Sequence, residues 1–96
     1  MGMLAEVLGQ RDAVLEIVRR HSAGRPRLFG SVAREEDGPD SDIDILIDAG
    51  PKCTLFSVVR MQDELSSLLV RDVDVRTVAG LHPSMRDAVL CQAIEL

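Results

Sequence analysis

Asp42-Ile43-Asp44 is the part of this 96-residue chain whose residue types and spacing could do chemistry. Side chains alternate along a strand, so both carboxylates leave one face, with backbones about 6–7 Å apart. Ile43 and Ile45 anchor the opposite face. Asp74, between Val73 and Val75, repeats the pattern further on and joins the first two if the strands are neighbours. Three carboxylates about 5 Å apart repel by about 3 kcal/mol per pair at an effective dielectric near 20. That cost needs a cation, and hard oxygen ligands suit Mg²⁺, which combines a few carboxylates with substrate phosphates. The bland alternative is a solvated acidic edge strand with only its apolar side buried. An EF-hand is excluded, because Ile45 stands where its Gly belongs and Pro51 where its last Glu belongs.

Gly30-Ser31 closes an upstream strand and opens a short helix. Backbone N–H groups at such a corner favour an anion, Gly lets a phosphate approach closely, and the Ser hydroxyl adds a donor. By itself Gly-Ser is an ordinary turn. Ten residues separate Ser31 from Asp42, so a phosphate cradle would stand beside a metal site.

The elements that must position these groups follow from periodicity. Leu4, Val7, Leu8, Val14, Leu15, Ile17 and Val18 form one apolar stripe and predict a first helix ending at Ala23-Gly24. Arg27-Leu28-Phe29 is a short strand. Ser31 caps a short helix over 32–36, and 37–41 is a loop by its turn residues. Asp42 to Asp48 is a strand, with Asp42, Asp44, Leu46 and Asp48 on one face. Thr54 caps a helix running to about Leu69, Val73–Val78 is a strand, and a last helix starts near Pro83, presenting Met85, Val89, Leu90, Ala93 and Ile94. The order gives one domain over 1–96, an α/β (α+β) fold with a small mixed sheet of three or four strands.

Composition narrows the function. The net charge is -5, ten of the eleven basic residues are Arg, and Phe29 and Phe56 are the only aromatics. Few cations to meet phosphates and few rings to stack bases argue against direct nucleic-acid binding. No apolar run reaches membrane-span length and no signal peptide is legible, which favours the cytoplasm. Cys53 and Cys91 lie outside metal or CxxC spacing and read as reduced, partly buried thiols. His21 and His82 read as surface or cap residues, and Met61 and Met85 as core or interface filler. Arg34 pairs with a nearby acid or reaches a phosphate. Arg76, on the face of Asp74, is an ion-pair partner or a substrate contact. Several apolar helix faces leave room for an oligomer.

Leu28-Phe29-Gly30-Ser31-Val32-Ala33-Arg34, then Ser41-Asp42-Ile43-Asp44-Ile45-Leu46, resembles the GSx(10)DxD signature of the DNA polymerase β-like nucleotidyltransferase superfamily, specifically its minimal members. The resemblance spans nearly the whole chain, with Val73-Asp74-Val75 at the third carboxylate and Leu81-His82-Pro83 near the C-terminal end. One departure is Glu35, where the family usually has Gly; it adds negative charge near the phosphate position. The resemblance implies AMP transfer from ATP to a hydroxyl with two Mg²⁺ ions. Asp42, Asp44 and Asp74 would be metal ligands and catalytic groups, with Asp74 helping to deprotonate the nucleophile, and Gly30 and Ser31 would hold the triphosphate. It also implies an antitoxin paired with a HEPN-domain toxin whose tyrosine accepts AMP. The alternatives are a non-catalytic antitoxin acting by contact, or nucleotidyl transfer to a small molecule with help from a second subunit. The chain has no tyrosine, so a tyrosyl acceptor must lie on another chain. The scarcity of aromatics predicts modest discrimination among nucleoside triphosphates.

Overall fold

The computed structural model describes residues 2–36, 38 and 41–96. Nine elements run in the order α1 (Met3–Gly9), α2 (Arg11–Arg20), β1 (Ala23–Phe29), α3 (Gly30–Ala33), β2 (Ile43–Ala49), α4 (Leu55–Leu69), β3 (Val73–Thr77), α5 (Pro83–Gln92) and β4 (Ile94–Glu95). The four strands form one mixed sheet in the order β3-β2-β1-β4. β2 and β3 are parallel, joined through α4, and β1 runs antiparallel to both β2 and β4. Of the expected loop over 37–41, Asp37, Pro39 and Asp40 lie outside the described residues.

Alternation builds the core. Leu28, Ile43, Ile45, Ile47, Val73 and Val75 point to one sheet face, where they meet Val7, Val14, Val18, Val32, Met61 and Leu65. The opposite face carries Asp44, Leu46, Asp48, Asp74 and Arg76. Leu46 is fully buried there, outside the main cluster. The carboxylate face is therefore partly covered, and β2 is a central strand. The alternative of a solvated acidic edge strand is not what forms.

Three boundaries differ from the periodicity reading. The first helix is two helices, broken where Gln10 leaves helical geometry after Gly9, a weak helix former. The break lets Met3 and Val7 in α1 and Val14, Ile17 and Val18 in α2 all reach the core. Ala23 and Gly24 do not end that helix but start β1, because pairing with Ala49 and Asp48 satisfies their backbone. An irregularity between Gly24 and Arg27 then absorbs Pro26, which has no N–H to give a ladder. At the other end α5 stops at Gln92 and buries none of its residues. Ile94 and Glu95 pair with Leu28 and Arg27, and Leu96 N donates to Pro26 O at 3.0 Å. Met85 is accordingly exposed whereas Met61 is core, and Cys91 is exposed whereas Cys53 is partly buried.

The caps of the later helices are as expected. Thr54 and Ser57 form a reciprocal capping box at α4. Pro83 opens α5, and the His82 side chain accepts from Ser84 N at 3.2 Å. No helix among the described residues is long and apolar enough to cross a membrane.

Candidate active site

The site is assembled by strand register. Asp44 on β2 is paired with Asp74 on β3, and on its other side with Phe29 on β1. Adjacent strands lie about 4.8 Å apart, so Asp44 and Asp74 project side by side from one face. Asp42 precedes β2 and is exposed. With Asp74 it lines a groove of about 480 Å³ that also includes Gln62, Asp63, Ser66, Asp72 and Val73. A larger hollow of about 730 Å³ also borders Asp42, Ser66 and Asp72, with Ser67, Val70 and Arg71. Neither contains Asp44, which faces Gly30 instead.

Gly30 follows Phe29 directly and has φ +72°, a conformation open to Gly and costly for other residues. A Cβ built on it would collide with Asp44 Oδ2 and stand 3.3 Å from Asp44 Cγ. Glycine is thus required twice, by its backbone angle and by the carboxylate against it. Ser31 lies within α3 and does not cap it. The N-cap is Phe29, with no side-chain hydrogen bond, because the chain turns at Gly30 before any hydroxyl can reach back. The helix is also shorter than the expected 32–36. Arg34 ends it, and Glu35 takes φ +55°, the left-handed region. The position where the family usually has Gly is therefore a position that asks for Gly on backbone grounds.

Electrostatics follow from this crowding. Partial burial, then the charges of Asp74 and Asp42, push the Asp44 carboxyl above the usual carboxylate range. Arg76 and Arg34 oppose that shift without cancelling it. Arg76 Nε donates to Asp74 Oδ2 at 3.0 Å. Arg34 Nε donates to Glu36 Oε2 at 3.0 Å, which makes it an ion-pair partner here. Among the described residues, no three acidic, histidine or cysteine side chains are gathered as a metal ion would require. The three candidate carboxylates are neighbours on one side of the sheet, with Asp44 turned to Gly30 and Asp74 to Arg76.

Two residues that the periodicity did not single out position Asp74. Val73 N donates to Ser66 Oγ at 3.1 Å and Val75 N to Gln62 Oε1 at 3.0 Å. Both N–H groups lie on the open edge of β3, so α4 supplies the acceptors a further strand would have given. The spacing of Gln62 and Ser66, four residues apart and so on one face of α4, was the available signal. His21, at the end of α2, bonds Glu64 of α4 with Nε2···Oε2 2.5 Å, a tie between helices that spacing could not have shown.

Residues 11–95 match the family described as the nucleotidyltransferase domain. A Methanocaldococcus jannaschii protein named as a protein adenylyltransferase, MJ0435, is 37% identical over 83 residues, which cover 86% of this chain and 89% of that protein. A second protein so named from the same organism, MJ1217, is 34% identical over 79 residues, 82% of this chain and 79% of that one. Among solved structures, one described as a minimal nucleotidyltransferase superposes with a TM-score of 0.89 at 42% identity, covering 100% of this chain and 97% of that one. A chain of a toxin–antitoxin structure with AMP-PNP superposes with a TM-score of 0.75 at 22% identity, covering 88% of this chain and 69% of that one. A chain from the complex of tri-AMPylated Shewanella oneidensis HEPN toxin with MNT antitoxin gives a TM-score of 0.68 at 21% identity, covering 94% of this chain and 70% of that one. At those last identities the likeness is one of fold.

Proposed function

Because this chain belongs to the nucleotidyltransferase domain family, we propose that it moves AMP from ATP to a hydroxyl of a partner protein, a tyrosine, as the antitoxin of a toxin–antitoxin pair. The observation that carries this reading is the register of Asp44 against Asp74 with Gly30 pressed on the Asp44 carboxylate. The relatives named as protein adenylyltransferases support the reaction. The resemblance in fold to chains of toxin–antitoxin complexes supports a HEPN-type partner.

The donor set suits magnesium. Hard carboxylate oxygens crowd one face, and the repulsion that adds to burial in raising the Asp44 carboxyl is what a divalent cation relieves. Asp42, Asp44 and Asp74 would hold two such ions, which when bound would steady the developing charge on the attacking and leaving oxygens. The rest falls to the protein. The Gly30 backbone admits the triphosphate at close range, and the Ser31 hydroxyl offers it a donor. Asp74 takes the proton as the acceptor oxygen bonds to the α-phosphorus and the bond to the β-phosphate oxygen breaks, releasing pyrophosphate. A reaction that consumes ATP supports a cytoplasmic setting.

The test is to incubate the chain with its candidate partner, Mg²⁺ and ATP and to weigh the partner. A mass gain of AMP, abolished by Asp42→Ala and by Asp44→Ala, is expected. A second reading, neutralisation by contact alone, draws on the apolar Leu55 and Phe56, 79% and 81% exposed at the start of α4. It predicts a tight complex with no mass gain.

A further inference from the structure

The ion pair between Arg76 and Asp74 joins residues two apart on one strand. It ties together nothing that the backbone does not already hold, and its side chains are 61% and 41% exposed, so folding has little use for it. What it does is local. It places a positive charge on the carboxylate beside Asp44, where three acids would otherwise stand uncompensated. Arg34, the other guanidinium acting on Asp44, is bonded to Glu36 and does not do this work.

We propose that Arg76 is a positioning residue, the counter-ion that pairs with Asp74 and that a divalent cation has to displace. The inference rests on the reading of Asp42, Asp44 and Asp74 as metal ligands. Cation binding at Asp74 then has to break the Arg76–Asp74 pair. An exposed pair of this kind is weak enough to be displaced, and its loss is felt as a factor of about 2–5 in cation affinity. Repulsion between the guanidinium and the incoming cation adds to the same sign.

The experiment compares wild type with Arg76→Gln and Arg76→Lys, using Mn²⁺ alone and following free Mn²⁺ by electron paramagnetic resonance. Arg76→Gln should bind Mn²⁺ about 3-fold or more tightly than wild type, with Arg76→Lys between the two. In a parallel Mg²⁺ titration of wild type, the Arg76 Nε–H resonance should move as the ion pair opens, and Asp74→Asn should abolish that movement. Equal or weaker Mn²⁺ binding by Arg76→Gln, with wild type binding normally, overturns this inference and leaves the metal reading standing. An Arg76 resonance that stays fixed as Mg²⁺ saturates the site overturns it as well. No binding by any variant, with or without AMP-PNP, removes the metal reading and this inference together.

Discussion

Gly30 and Asp44 occupy one another's space: the α-carbon of the first is bare where the carboxylate of the second lies, and any β-carbon would strike Oδ2. Gly30→Ala therefore meets both a collision and a positive φ. It should destabilise the fold by about 1–3 kcal/mol and displace Asp44, with loss of AMP transfer. A double-mutant cycle with Asp44→Ala separates the causes. Coupling of about 1 kcal/mol is expected because truncating Asp44 removes the collision but not the backbone strain. Additive effects would show that the two residues do not interact.

Asp44 is held as an anion at a cost. Its carboxyl is raised above the ordinary value of 3.8, first by burial and then by Asp74 and Asp42. A raised group favours the folded state below the unfolded pKa, and that contribution is lost as pH rises through the folded value. Asp44→Asn, measured by melting in chelator, should therefore be more stable than wild type at pH 7. The advantage should shrink as pH falls towards 3.8. The same variant should be inactive, since charge here serves the reaction and opposes the fold.

Glu64 works in the opposite sense. The His21 hydrogen bond lowers its carboxyl below 4.5, with the charges of His21, Arg20 and Arg60 adding to the shift. A lowered acid stabilises the fold above its unfolded pKa, and the benefit disappears as pH falls through the folded value. Glu64 is 39% exposed, so solvent screening limits the effect to about 0.5–1 kcal/mol. Glu64→Gln should melt lower than wild type at pH 7, and the gap should close only as pH falls from 4.5 through the lowered carboxyl value. A constant difference across that range would contradict the assignment.

Glu35→Gly should stabilise the chain by about 1 kcal/mol, because φ +55° is unfavourable for a residue with a Cβ. Thermal melting gives the magnitude. The substitution also removes a negative charge from the segment after Gly30-Ser31, so the KM for ATP should fall rather than rise.

Gln62→Ala leaves Val75 N–H without its acceptor on the edge of β3. A loss of about 1 kcal/mol is expected. Hydrogen exchange at Val75 should quicken selectively, and transfer should drop further than stability alone explains, because Asp74 sits between the two N–H groups that α4 restrains.

Much of the architecture was legible from local pattern. The alternation of Ile43, Ile45 and Ile47, the Thr54 cap and Pro83 at a first turn each report on a few neighbouring residues, and each element formed where its pattern lay. The GS and DxD spacing pointed to the family through the same kind of local information. Misplaced boundaries came where distant partners competed with propensity. Ala23 and Gly24 went to β1 because Ala49 and Asp48 were there to pair. Ile94 left α5 because β1 had a free edge.

The sequence alone determined which side chains share a face of each strand, since a period of two is a property of one segment. It could not determine which strand lies beside which, because register is decided by pairing and packing between segments tens of residues apart. Only the tertiary structure set Asp44 opposite Asp74, buried Leu46 on the carboxylate face and gave Gly30 its left-handed turn against Asp44.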